Sequence, residues 1–184
     1  MVSLGVMHET LLPREFSGGR LRRLRPADRV AFQAYRSIPE LGRYQGWSPI
    51  SEAEALDFLA EMNQAPLFTP GQWVQLGIVE AESDSLVGDI GLYLSSDGST
   101  GEVGFTLQPS AQGRGVAGRA VREALQLLFS ATKVSCVLGK TDERNLPAIR
   151  LLERLGFQYL ENRRVVYRGE PCSEKVYALS PNAA

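Results

Sequence analysis

The chain has 184 residues, 43% of them hydrophobic and 22% charged, with a formal net charge of -1. That length fits one domain with a sizeable core, and that charge removes a general electrostatic case for nucleic acid, which needs a basic patch or stripe. Two cysteines, the single histidine His8 and no apolar run near the ~20 residues that cross a bilayer make a reduced, cytoplasmic, non-membrane protein the simplest reading, with no Ser-His-Asp arrangement and no zinc set.

Residues 1–17 carry no convincing period and read as a loosely ordered leader, followed by a single domain over 18–184. A first strand begins at 21–24; the cluster Arg20, Arg22, Arg23 and Arg25 around it reads as a solvated, charged edge. Pro26 and Asp28 suit a helix start, with Val30, Phe32, Ala34 and Tyr35 as its apolar positions to about residue 37. The loop Arg43-Tyr44-Gln45-Gly46-Trp47-Ser48-Pro49 carries two aromatics, which line a cleft if exposed and pin the loop if buried. Ser51 with Glu54 forms a capping box, so a second helix runs to about residue 63. On it Glu54, Asp57 and Glu61 share one face, either an acidic wall for a polycation or a solvated surface.

A meander follows: strands at 73–81, 86–94 and 102–107, joined by short polar turns that argue antiparallel pairing. The pattern then switches to strand and helix in alternation: helix 114–129, strand 133–139, helix 145–155 and closing strands at 158–166 and 174–179. An antiparallel half joined to a strand-helix-strand half is an α/β mixed sheet. Cys136, in the run Val134-Ser135-Cys136-Val137-Leu138, is expected to be buried and inert, and Cys172 to lie in a turn.

Between the third meander strand and the next helix stands Gln112-Gly113-Arg114-Gly115-Val116-Ala117. A glycine-rich turn opening a helix is an anion site, because the first helical amides lack intrachain partners and the dipole is positive there. With Gly118 the run matches a bare Gly-x-Gly-x-x-Gly, but it comes late in the chain and after a meander, which is not the dinucleotide context. Nor is there a lysine and hydroxyl pair for a nucleoside triphosphate.

Gln112, Gly115 and Ala117 in register resemble the Gln/Arg-x-x-Gly-x-Gly/Ala signature of the GNAT acetyltransferases. The block from Asn145 to Leu155-Gly156-Phe157 and the opening 19–28 are similar to further elements of that family's RimJ/RimL-type branch. The resemblance implies a largely antiparallel central sheet flanked by helices, with a splayed pair of strands forming the cofactor cleft. It implies acetyl-coenzyme A, no metal, and an N-acetyltransferase acting on a protein α-amine or a small amine. On the same footing Gln112, Gly113, Arg114, Gly115, Val116 and Ala117 hold the pyrophosphate, Leu107 pairs with the pantetheine arm, and Asn145 orients the cofactor or caps its helix.

Glu102 is the expected base. Alternation puts it opposite Val103, Phe105 and Leu107, with Gly104 and Thr106. Tyr44 and Trp47 are candidate acceptor contacts. Many relatives place a serine or tyrosine in the helix after the asparagine to protonate the leaving thiolate; here Ala148 and Leu152 stand there, so no acid is assigned and Tyr93, Tyr159 and Tyr167 are the alternatives. An aminoglycoside or polyamine acetyltransferase and a non-catalytic acyl-coenzyme A sensor are the competing readings. A homodimer through an exposed last strand or helix stays open.

Overall fold

The computed structural model describes residues 11–167 and 169–181. Eight strands form one sheet in the order β1-β2-β3-β4-β5-β6-β8-β7. They are β1 (Arg14–Phe16), β2 (Gly19–Arg23), β3 (Trp73–Glu80), β4 (Leu86–Leu94), β5 (Thr100–Leu107), β6 (Cys136–Asp142), β7 (Gln158–Tyr167) and β8 (Glu170–Leu179). Every neighbouring pair is antiparallel except β5 with β6. This is the mixed sheet that the residue patterns predict, and the largely antiparallel one that the resemblance implies.

Helices cover both faces. On one lie α1 (Arg29–Arg36), entered through a 3-10 turn at Pro26–Asp28, the short α2 (Pro39–Gly42) and α3 (Glu52–Gln64). Their apolar stripes, Phe32 and Tyr35 from α1 with Ala55, Leu59 and Met62 from α3, pack on Leu24, Val79 and Leu86. On the other lie α4 (Val116–Ala131) and α5 (Leu146–Arg154). Val116, Ala120, Val121, Ala124 and Leu128 recur at helical spacing along α4 and close the larger core over Leu76, Ile78, Leu92 and Val103. Ser51 caps α3 as its sequence predicts: its hydroxyl accepts from Glu54 N, and the Glu54 carboxylate accepts from Ser51 N.

Five expectations change. The end of the supposed leader is a strand: Arg14–Phe16 pairs with β2, while residues 1–10, His8 included, lie outside the described residues. Because β1 covers it, β2 is not an edge, and Arg22 is buried, donating from both terminal nitrogens to Asp28 at 2.8 Å. The strand expected at 133–139 starts three residues later, since Lys133 to Ser135 is spent leaving α4 and tying Ser135 N to Ser99 O. Cys136 therefore opens β6 half-buried, and Cys172 is half-buried within β8, opposite Val165 in β7.

Candidate active site

The parallel ladder between β5 and β6 runs from Thr100↔Cys136 to Val103↔Gly139. Beyond it β6 stays with β8, through Lys140↔Val176 to Asp142↔Glu174, while β5 stays with β4 as far as Leu107↔Gly88. The two strands splay, and a cleft of about 980 Å³ opens between Gly104–Leu107, the glycine turn, α4, α5 and the loop after α2. Leu152 of α5 presses on β6 where a residue with a side chain would not fit: a Cβ at Gly139 would lie 2.5 Å from a Leu152 methyl.

Inside the cleft β5 has a free edge. Gln108 N donates to Val87 O on the β4 side, whereas Phe105 O and Leu107 O accept from the Gln45 and Gln112 side chains at 3.3 and 2.9 Å. In a strand one residue's N–H and C=O point the same way, so Phe105 and Leu107 also turn their amides to the cleft. Leu107, which the resemblance pairs with a pantetheine arm, lies on this free edge.

At the head of the cleft Gly113 and Gly115 both adopt φ +73. A Cβ at Gly113 would meet nothing within 4 Å, so glycine there answers to backbone conformation rather than to space. Gly115 begins α4 with no side-chain cap, which leaves the first amides of the helix unsatisfied at the glycine turn. Gln112, Gly113, Gly115, Val116 and Ala117 all line the cleft. Arg114 does not: it is exposed and pairs with Glu80 at 3.6 Å. Three other arginines, Arg119, Arg122 and Arg154, line it instead, and Arg122 and Arg154 carry no ion pair among the described residues. The signal was present for two of them, since 115, 119 and 122 fall on one helical face. Asn145 both caps α5, accepting from Ala148 N at 3.4 Å, and lines the cleft.

Opposite Val103, Phe105 and Leu107 lies the face of β5 that was expected to serve an acceptor. Glu102 is there as alternation predicts, but it is ion-paired with Lys140, whose ammonium is 2.5 Å from Glu102 Oε2. Lys140 lines the cleft; Glu102 stands behind it. Tyr44 lines the cleft between two guanidinium groups, Arg43 at 5.5 Å and Arg144 at 5.4 Å from its ring. Arg144 grips buried Asp142 with both arms, at 2.8 and 2.7 Å, and these hydrogen bonds hold Asp142 below the usual carboxylate range. Trp47 is not brought in. It stacks on Arg36 at 4.4 Å and covers Gly42, pinning the loop. Glu54, Asp57 and Glu61 are exposed on α3 and contribute nothing to the cleft wall.

Of the three phenols considered as acids, Tyr93 stacks on Trp73 and Tyr159 donates to Asn162 on the exposed face of β7. Only Tyr167 adjoins the acceptor side, donating to buried Glu174. Burial first, then Glu174 and more weakly the Glu102 charge, hold its phenol protonated well above the ordinary range. Among the described residues there is no cluster of side chains suited to a metal ion and no helix long and apolar enough to cross a membrane.

The family model for the acetyltransferase (GNAT) domain matches residues 20–158. The uncharacterized N-acetyltransferase p20 of Bacillus licheniformis is 27% identical over 140 residues, 75% of this chain and 78% of that protein. YoaA of Bacillus subtilis, also an uncharacterized N-acetyltransferase, is 26% identical over 164 residues, 86% of this chain and 91% of its own length. A GNAT-family acetyltransferase structure from Bacillus anthracis superposes with a TM-score of 0.81 at 19% identity, covering 92% of this chain and 98% of that one. The ribosomal L7/L12 α-N-protein acetyltransferase RimL, solved in complex with coenzyme A, gives a TM-score of 0.77 at 14% identity over 92% of this chain and 97% of its own. The family model spans most of the chain and the fold agrees with it: the chain belongs to the GNAT acetyltransferase family.

Proposed function

We propose that the protein moves an acetyl group from acetyl-coenzyme A directly to a primary amine, a protein α-amine or a small amine, as a RimJ/RimL-type N-acetyltransferase. The observation that carries this reading is the splayed cleft, with an uncapped helix start at one end and a free strand edge along its side. The amides at Gly115, Val116 and Ala117 take the pyrophosphate, helped by the cationic wall of Arg119, Arg122 and Arg154 rather than by Arg114. The pantetheine arm adds to the β5 edge, and an amide at Phe105 or Leu107 polarises the thioester carbonyl. The amine nitrogen attacks that carbon, the C–S bond breaks, and the amine's proton passes to Glu102. An α-amine titrating near 8 makes small demands on a carboxylate whose charge Lys140 already shares. Ala148 and Leu152 offer no proton, so the thiolate takes one from water at the cleft mouth.

The acceptor wall, with Tyr44 between Arg43 and Arg144, favours such amines over an aminoglycoside or polyamine, because the acidic face of α3 is turned away. The ion pair that Lys140 makes with Glu102, and Ala148 and Leu152 standing where a proton donor was sought, favour one second reading, a non-catalytic acyl-coenzyme A sensor. Unpaired half-buried cysteines suit a reducing cytoplasm, and the exposed edge strand β7 is where a homodimer would form. Calorimetric titration with acetyl-coenzyme A, beside thiol release over a panel of peptides and small amines, tests the reading. Glu102→Gln is expected to lower kcat by about 10²- to 10⁴-fold while leaving acetyl-coenzyme A affinity unchanged. Binding with no turnover on any amine would select the sensor, and absence of binding would remove both.

A further inference from the structure

Four glycines stand inside β4 and β5, and three of them answer to a neighbour. A Cβ at Gly88 would lie 2.3 Å from Thr106 O, at Gly101 2.7 Å from a Leu128 methyl, and at Gly91 3.1 Å from the benzo edge of the Trp73 indole. Gly104 answers to none. Its backbone lies outside the left-handed region, and a Cβ there would meet nothing within 4 Å among the described residues. A glycine inside a strand gives up stability, so one that neither conformation nor packing requires marks a place where a group from outside the fold approaches the backbone.

The strand register tells what borders that place. Gly104 faces Gly91 across the ladder of β4 with β5, and Gly91 is the residue over which Trp73 lays its indole. Trp73 is 45% exposed on β3, beyond the cleft proper, with its ring 5.4 Å from that of Tyr93. On the other side β6 has left the ladder and Lys140 lines the cleft. Along β5 the preceding residue on the same face is Glu102, which Lys140 pairs. The space above Gly104, itself part of the cleft wall, therefore lies between the proposed base and an aromatic edge.

We propose that Trp73 is an acceptor-binding residue and that the acceptor carries an aromatic ring two carbons from its amine nitrogen. This rests on the proposed function, in which the amine's proton goes to Glu102. Glu102 and Gly104 stand about 7 Å apart along β5, a span that two carbons and a ring cover from a nitrogen at Glu102. The ring lies on the bare backbone of Gly104 and meets the benzo edge of Trp73. An aromatic edge carries partial positive charge, so it takes the face of another ring, whereas a cation is drawn only to a ring face. Lys140 fixes a further positive charge beside this space, which turns away the second ammonium of a diamine. An N-terminal phenylalanine and a free arylethylamine present the same nitrogen and ring at the same separation.

Thiol release over phenethylamine, butylamine, diaminobutane and peptides beginning with phenylalanine or alanine tests this in the parent, Trp73→Ala, Trp73→Phe and Gly104→Ala. The parent should favour phenethylamine over butylamine by about tenfold or more in kcat/KM, with diaminobutane poorest. Trp73→Ala should raise KM for phenethylamine about two- to tenfold more than for butylamine, the range of one aromatic pair, with the acetyl-coenzyme A Kd unchanged. Trp73→Phe should restore most of that preference. Gly104→Ala should hold or raise the urea midpoint and keep acetyl-coenzyme A affinity, yet raise KM for the ring-bearing amines. A phenylalanine peptide that outruns phenethylamine supports the inference with a protein N-terminus as the source of the ring, and the reverse order supports it with a small amine. Where no amine turns over, calorimetry of the same amines into the coenzyme A complex carries the same comparison. Equal losses for both amines in Trp73→Ala, no ring preference in the parent, or a Gly104→Ala that loses acetyl-coenzyme A affinity instead would overturn the inference while sparing the proposed function. No acetyl-coenzyme A binding by the parent would overturn both.

Discussion

Asp89 is the residue that, through Arg36 and Trp47, anchors the loop after α2. It is fully buried in β4 and accepts from Tyr35 Oη, from Nε and Nη2 of Arg36, and from Gln75 Nε2. Arg36 is held between the rings of Phe32 and Trp47, so removing the carboxylate strands a guanidinium in an apolar sandwich. Asp89→Ala is expected to lower unfolding stability by about 3–5 kcal/mol, read as a drop in urea midpoint at constant m. An unchanged midpoint would mean that water reaches Arg36. In the sequence Asp89 is one acid within an apolar strand, and nothing local announces its three donors, which come from α1 and β3. Glu102 was legible for the opposite reason, since period-2 alternation alone fixes its face; Lys140, 38 residues on in β6, was not. Cys172 offers a second test at this scale. Burial and the neighbouring Asp142 charge push its thiol above the ordinary range, so at pH 8 its alkylation should be slower than that of an unfolded-chain cysteine. Asp142→Asn should speed it, and equal rates in the two proteins would remove Asp142 as the cause.

Among the elements, the contact of α5 with β6 shapes the cleft. Leu152 fills the space above Gly139, and Ile149, Leu151 and Leu152 bury the same stripe that the Leu-Leu pair in the sequence advertises. Gly139→Ala places a Cβ against both Leu152 methyls and the helix must lift, at a cost of about 1–3 kcal/mol. Because α5 is also a wall of the cleft, the same variant should bind acetyl-coenzyme A more weakly, whereas Gly98→Ala, at φ +70 in an open turn, should lose stability without touching affinity. Equal affinity in Gly139→Ala and the parent would separate helix placement from binding. Long periodic elements such as α3 and α4 could be read from their residues, because several turns of pattern reinforce one another. The three residues of β1 and the four of α2 hold no period, and α2 is what delivers Tyr44 and Gln45 to the cleft. Arg114 shows the converse limit. Its place beside the glycines is a matter of sequence, but the left-handed backbone on both sides turns it out to Glu80.

Across the whole molecule, the order of strands along the chain was readable from turn lengths and the switch of period, while the splay that makes the site depends on where one ladder stops, at Val103↔Gly139, and no local pattern encodes that. Stability against pH is a property at this scale and follows from two sets of groups. Asp142 is held below its ordinary range by Arg144, Glu54 by Ser51, and Asp97 is drawn down to about 2 by Ser95 and Ser99. A carboxyl group whose folded value is depressed stabilises the fold above its unfolded value near 3.8 to 4.5, and that contribution is lost as pH falls through the folded value. Tyr35, Tyr167, Tyr177 and Cys172 are displaced upward, first by burial and then by Asp89, Glu174, Glu153 and Asp142 respectively. Their stabilisation is complete below the unfolded values of 9.0 to 10.0 and declines as pH rises beyond them. His8 is the one histidine of the chain and lies outside the described residues, so the described fold holds no group of ordinary value between these limbs. The urea midpoint should be flat from about pH 5.5 to 8, fall below about pH 4.5 and fall again above about pH 9. A midpoint that climbs steadily from pH 5.5 to 8 would locate a titrating group in the fold that neither set contains. An acid limb missing down to pH 3 would show that the Arg144 clasp on Asp142 adds nothing to the folded state.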